Sequence, residues 1–264
     1  MVRLILWVLG GTGFTFLMTT LGSAMVFLLR KRIGDLVQRI FLGFAAGVMI
    51  AASIWSLLLP AIEEAENLNV VSWIPAVGGF ILGIFILLIM NNVISKLGKS
   101  VSKTDKLKNC AKKNILLISA ITLHNIPEGM SVGLLFVLAA QHGDNPALYA
   151  AAVTLAIGVG IQNFPEGAAI SLPLRHSGMS TFKAFICGSM SGIVEPIFGV
   201  LTVLIAGMII PIMPWLLSFA AGAMMFVVVE ELIPEANLSE PSNAGTLSVM
   251  FGFIVMMVLD VALG

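Results

Sequence analysis

The 264-residue chain has little charge: Asp, Glu, Lys and Arg make up 11% of it, against 58% hydrophobic residues. A soluble domain carries about 25% charged and about 45–50% apolar residues. That leaves too few polar groups for a water-facing surface, so the chain is an integral membrane protein. Cysteine is nearly absent. Cys110 in a Lys-rich stretch and Cys187 in a hydrophobic segment fall on different elements, which indicates no disulfide framework. Also missing are the alternating apolar and polar segments of about ten residues that mark a transmembrane β-barrel. In their place are uncharged runs of 26 residues between Arg3 and Arg30, 23 between Arg39 and Glu63, and 29 between Glu66 and Lys96. Each is long enough to cross a bilayer as helix. The first is no cleavable signal peptide, because its apolar run is too long and the basic cluster Arg30-Lys31-Arg32 follows it rather than precedes it.

Proline, glycine and charge breaks predict eight helical spans in one transmembrane domain covering 1–264, near 4–29, 36–62, 73–95, 114–141, 147–174, 182–210, 214–236 and 245–263. The Lys-rich stretch 96–113 reads as a solvated cytosolic loop, with anionic headgroups as its alternative partner. Basic side chains stay cytosolic, and 13 of the 14 Lys and Arg residues fall in odd-numbered loops, Arg3 being the exception. Both termini are therefore expected outside.

Two internal echoes run through the chain. His124-Asn125-Ile126-Pro127-Glu128-Gly129 in span four is answered 38 residues later by Gln162-Asn163-Phe164-Pro165-Glu166-Gly167 in span five. A weaker echo links Phe44-Ala45-Ala46-Gly47 and Pro60 in span two to Phe219-Ala220-Ala221-Gly222 and Pro234 in span seven. Each echo joins spans that run in opposite directions, as inverted-topology transporters do. The expected fold is all-α, an inverted repeat of spans 1–3 and 6–8 around the central pair of spans 4 and 5.

Chemistry is located by the charges at bilayer depth. Glu128, Glu166 and Glu195 lie mid-span, while every Lys and Arg sits in a loop or at a helix end. An ionised carboxylate in hydrocarbon must be protonated, solvated or paired, and no intramembrane base is available. The compensating charge must come from outside the chain, as protons, a metal ion or both. His124 and Asn125 stand four and three residues before Glu128, so all three project from one helix face; Gln162, Asn163 and Glu166 repeat the arrangement. Pro127 and Pro165 lack an N–H and are expected to kink both helices at that depth. Glu195 in Ser191-Gly192-Ile193-Val194-Glu195-Pro196 adds a third carboxylate beside a proline on span six. One imidazole with carboxylates and amide oxygens suits a divalent cation: Zn²⁺ first, with Fe²⁺, Mn²⁺ or Cd²⁺ as alternatives.

Other polar residues have plainer readings. Glu230 and Glu231 reach the cytosolic interface, with a part in metal exit as the alternative, and Asp260 reads as an interfacial anchor. His142 and His176 read as solvated loop histidines. The 15 Met residues are packing side chains. The Gly pairs 43/47, 79/83 and 188/192 read as small-residue packing faces.

At these residues the sequence resembles the ZIP (Zrt-, Irt-like) metal transporters. The likeness rests on His124-Asn-x-Pro-Glu128-Gly, the second Asn-x-Pro-Glu-Gly, Glu195 and the eight spans. The frame Ile161-Gln162-Asn163-Phe164-Pro165-Glu166-Gly167 is particularly similar to the GufA-like branch. The resemblance implies uptake of divalent metal toward the cytoplasm through a two-metal centre. One site would use His124, Glu128, Gln162 and Glu166; the other would use Asn125, Glu128, Asn163, Glu166 and Glu195, with Glu128 and Glu166 bridging. It also implies that spans one, four, five and six move against a scaffold of two, three, seven and eight. Many members have His where Gln162 stands and an acid where Asn163 stands, so this centre is less basic and less anionic. The His-rich cytosolic loop of many relatives is replaced here by lysines.

The metal is thus expected as transported substrate rather than prosthetic group, with the lipid bilayer as surroundings, a homodimer among the allowed assemblies, and no nucleic-acid partner. The setting expected is a prokaryotic plasma (inner) membrane. Protons are expected to compete for the carboxylates, making transport pH-sensitive. A metal-selective channel is the alternative within transport. An intramembrane metal-dependent hydrolase is the alternative outside it, disfavoured because no His-Glu-x-x-His motif is present.

Overall fold

A computed structural model describes residues 2–28, 34–99, 106–143, 145–205, 210–237 and 242–263; the side chains of 35, 94–99, 106–121, 123, 124, 176, 210, 237 and 263 lie outside the described set. Among the described residues there is no strand, and the principal helices number eight. They are α1 (Val2–Leu28), α2 (Leu36–Asn67), α3 (Trp73–Lys99), α4 (Lys106–Gln141), α5 (Pro146–His176), α6 (Thr181–Leu204), α7 (Met213–Ala236) and α8 (Ala244–Leu263). All but α4 qualify, by length and apolar composition of the described residues, as membrane-crossing helices. Most α4 side chains before Asn125 fall outside the described set. The protein is a multi-pass, all-α membrane protein.

Helix α3 runs on to Lys99 and α4 starts at Lys106, so much of the stretch 96–113 expected as loop is helical. Lysine is a good helix former. The charges at Lys96, Lys99, Lys106, Lys108, Lys112 and Lys113 are carried on helix.

The echo between spans two and seven has a structural counterpart. Both helices widen into a π-helical stretch, Ser53–Leu58 in α2 and Val228–Leu232 in α7, where Leu59 N–H reaches Ile54 O and Ile233 N–H reaches Val228 O. Pro60 and Pro234 each follow two residues beyond. A proline ring clashes with the carbonyl four residues back, and the widened turn accommodates it. The stretch is six residues in α2 and five in α7, matching the one-residue difference in motif-to-proline spacing.

Packing follows the same symmetry. Helix α1 packs chiefly on α5 and α4 on α6; α2 packs on α8 and α3 on α7; α2 also touches α5, and α7 touches α4. Exchanging α1 with α6, α2 with α7, α3 with α8 and α4 with α5 maps each contact onto another.

Glycine sets which of these contacts are tight. A Cβ on Gly47 would run into the Val249 carbonyl of α8, and one on Gly222 into the Phe80 carbonyl of α3. Likewise Gly22 of α1 lies on the Phe164 carbonyl of α5, and Gly129 of α4 on the Glu195 backbone of α6. These backbone-on-backbone approaches replace hydrophobic driving force in lipid. They pair α1 with α5, α4 with α6, α2 with α8 and α3 with α7, and the wider packing of α1 on α6 and of α2 on α7 gathers these pairs into two sets: α1, α4, α5 and α6 on one side, α2, α3, α7 and α8 on the other. Across the boundary the glycine contact is of another kind, Gly158 of α5 meeting only the flexible Met256 side chain of α8.

Candidate metal centre

The three intramembrane carboxylates come from three helices of the first set. Helices α4 and α5 continue through Pro127 and Pro165, so neither proline interrupts its helix. The interruption occurs in α6, expected as one continuous span, which splits into Thr181–Ser191 and Val194–Leu204. Pro196 explains the position: its ring would collide with the Gly192 carbonyl four residues back, and the chain answers with a tight turn in which Glu195 N–H bonds Gly192 O at 3.1 Å. Glu195 then lies in the first turn of the second half-helix, where the helix dipole favours an anion.

Because Glu195 N–H has turned to Gly192, the carbonyl of Ser191 is left without its helical partner. Asn125 supplies one: its Nδ2 donates to Ser191 O at 3.1 Å. The first motif thus holds the break of α6. Gln162 Nε2 donates to Glu128 Oε1 at 2.7 Å, joining the two motifs, and Asn163 Nδ2 donates to Glu195 Oε2 at 3.0 Å. Asn125, Glu128, Gln162, Asn163 and Glu195 are at most 1% exposed and Glu166 is 8% exposed. Coulomb repulsion links Glu128 to Glu166 and Glu195, and Glu166 to Glu231. His124 is on α4, but its side chain lies outside the described residues.

These bonds leave a consistent remainder. Asn125 Oδ1, Glu128 Oε2, Gln162 Oε1 and Asn163 Oδ1 are buried acceptors with no hydrogen-bond partner. Each orphaned acceptor costs about 1–3 kcal/mol, and four in one cluster form a set of oxygens suited to a cation. Among the described residues, no group of three His, Cys, Asp or Glu side chains is placed to hold one ion. Glu128 and Glu195 are each bonded to an amide of α5 instead.

Two contributors have no motif. Thr19 of α1 presents its hydroxyl to Glu195 Oε1 at 3.5 Å, and the Ser191 carbonyl takes part through its backbone alone. Thr19 belongs to a buried stripe with Thr12, Thr15 and Ser23, a polar face at helical spacing in an apolar span that the sequence displays openly.

The family model described as ZIP Zinc transporter matches residues 95–260. The chain belongs to the ZIP zinc transporter family. It is 38% identical to zinc transporter ZIP11 of Xenopus tropicalis over 96% of both chains. It is 35% identical to zinc transporter ZIPB of Bordetella bronchiseptica over 97% of this chain and 81% of that one, and 35% identical to zinc transporter GufA of Myxococcus xanthus over 57% of this chain and 56% of that one. Membership makes the protein a transporter of divalent metal cations, not an enzyme, and the hydrolase alternative falls away.

Elsewhere the structure adds partners to the plainer readings, and His142 lies in an exposed turn, as expected of a loop histidine. His142 pairs with Glu64, its Nε2 3.3 Å from Oε2. Asp260 is 9% exposed and accepts from Ser56 Oγ at 2.6 Å, so it is held within the bundle instead of at its surface. Glu231 accepts from Asn91 Nδ2 of α3 at 3.5 Å, while Glu230 is exposed. The glycine pairs are the packing faces expected of them. Cys187 is a free thiol, and the side chains of Cys110 and His176 lie outside the described set.

Proposed function

We propose that this ZIP-family protein carries Zn²⁺ toward the cytoplasm through the centre formed by α4, α5 and α6, by alternating access. Four orphaned buried oxygens beside three uncompensated carboxylates carry the reading. The proposed ligands are His124, Glu128, Gln162 and Glu166 for one ion, and Asn125, Glu128, Asn163, Glu166 and Glu195 for a second. The donor set is mostly oxygen, which also admits Fe²⁺, Mn²⁺ and Cd²⁺. Thr19 and the turn at Gly192 would hold Glu195 toward the cargo.

Alternating access is supported by the grouping of the helices into two packed sets. All the proposed ligands lie on α4, α5 and α6. With α1, these helices form one packed set, and the glycine contact it makes with the other set is Gly158 of α5 against the Met256 side chain of α8. A boundary made through side chains is one along which two bodies can slide. The proposed setting is a prokaryotic plasma membrane, supported by the bacterial relatives; ZIP11 of Xenopus tropicalis makes a eukaryotic membrane the alternative.

The test is uptake into proteoliposomes with competing Zn²⁺, Fe²⁺, Mn²⁺ and Cd²⁺. Saturable Zn²⁺ uptake without unitary currents is the expected result. Unitary currents would replace the carrier with a channel, and strong preference for another ion would replace zinc.

A further inference from the structure

His142 follows the last residue of α4, and Glu64 lies near the end of α2, so their contact joins the two packed sets at the end that the charge pattern places outside. The geometry around the imidazole is one-sided. Nδ1 lies 3.1 Å from Leu138 O on its own helix, and Nε2 lies 3.3 Å from Glu64 Oε2. Both ring nitrogens face acceptors, and only an imidazolium has a proton for each. Glu64 is 7% exposed at its side chain while His142 is 36% exposed, so a nearly buried carboxylate meets a solvent-accessible histidine. Asn67 Nδ2 is a further donor to the same Oε2, at 3.4 Å.

Other charges lie at this end, among them Asp260 of α8, which accepts from Ser56 Oγ of α2 at 2.6 Å. Helix α2 adds Glu63 and Glu66, both exposed. The first turns of α3, α5 and α7 have no titratable side chain apart from Tyr149. Helix α1 brings Arg3 one turn before Trp7, whose ring lies 5.4 Å from that of Tyr149. Asp144 lies outside the described residues. The neighbourhood is acidic on α2, and His142 is the titratable group that meets it from α4.

We propose that His142 and Glu64 form a protonation-sensitive latch that fastens the ligand-bearing helices to the α2 scaffold in the state seen here. The proposal rests on the sliding of the two helix sets proposed above. When His142 is neutral, its single N–H serves either Leu138 or Glu64 but not both, and the latch loosens. When it is protonated, both bonds form and α4 is held to α2. Neither residue belongs to the proposed metal centre, so the latch would alter the rate of the transition and its pH profile while leaving metal binding intact.

The experiment has two arms, both on full-length protein in proteoliposomes. In the first, Zn²⁺ uptake is measured for wild type, Glu64→Gln, His142→Gln and the double variant at pH 5.5, 6.5 and 7.5. The variant-to-wild-type ratio is expected to change about two- to fivefold across this range, the scale of a partly exposed ion pair. The double variant should match the single ones, as a coupled pair requires. A ratio that is constant with pH, or single effects that multiply in the double variant, overturns the latch. In the second arm, Glu64→Cys and His142→Cys are combined in a background with Cys110 and Cys187 replaced by Ser, then bridged by a short bis-methanethiosulfonate. Uptake should stop and return on reduction. Full uptake with the bridge in place would remove the sliding mechanism itself, a failure distinct from a flat ratio in the first arm.

Discussion

Gln162 Nε2 donates to Glu128 Oε1 at 2.7 Å, so the motif of α5 is bonded to the motif of α4 across the centre of the bundle. The Gln162 amide faces the Glu128 carboxylate. It offers a donor to one carboxylate oxygen while its own Oε1 and the second oxygen of Glu128 stay open. In the proposed centre, a cation would find these oxygens open without displacing this bond.

The carboxylates should not be equivalent in function. Glu128→Ala and Glu166→Ala are expected to reduce uptake to that of empty liposomes, whereas Glu231→Ala only slows it. Glu231 repels Glu166 electrostatically but sits on α7, in the other helix set. Wild-type flux through Glu166→Ala would remove the shared-ligand proposal.

Asn125 has a structural duty separable from metal binding. Asn125→Leu leaves the Ser191 carbonyl buried without a donor, which should lower stability by about 1–3 kcal/mol. The loss should be readable as a lower thermal midpoint in detergent even with no metal added. An unchanged midpoint would mean that the break in α6 is held by other means.

Close packing gives a paired comparison. A Cβ at Gly129 meets the Glu195 backbone, while one at Gly10 meets nothing within 4 Å. Gly129→Ala should cost about 1–3 kcal/mol through overpacking, displace Glu195 and depress uptake, and Gly10→Ala should leave both unchanged. Equal behaviour of the two variants would contradict the helix contact described here.

Proton competition has a definite sign. In the proposed centre metal requires deprotonated carboxylates, so acid should lower uptake and raise the half-saturating Zn²⁺ concentration between about pH 8 and about pH 5.5. A flat profile over that range, measured at subsaturating metal, would sink the idea that protons and metal share these groups.

Much of this protein follows from local rules that its sequence displays. Long uncharged runs specify membrane helices because unpaired backbone cannot survive in hydrocarbon. The paired Asn-x-Pro-Glu-Gly motifs put amides and carboxylates on common faces through helical periodicity. Three acids without a basic partner call for a cation wherever they sit. Even the Thr12, Thr15, Thr19 stripe was readable by the same spacing argument. The relation of one helix to another is decided by tertiary structure. Pro196 announces strain in α6, but that the break is held by Asn125 depends on α4 lying against it, with Gly129 on the Glu195 backbone. His142 lies in an exposed turn, as its loop reading expects, but its partner was not legible for a like reason: Glu64 is 78 positions away in the chain, and only the docking of α2 beside α4 brings the two within reach. Periodicity determines which face of a helix is polar. Which neighbour meets that face depends on where glycine lets two backbones close together, and that is settled only when all the helices pack.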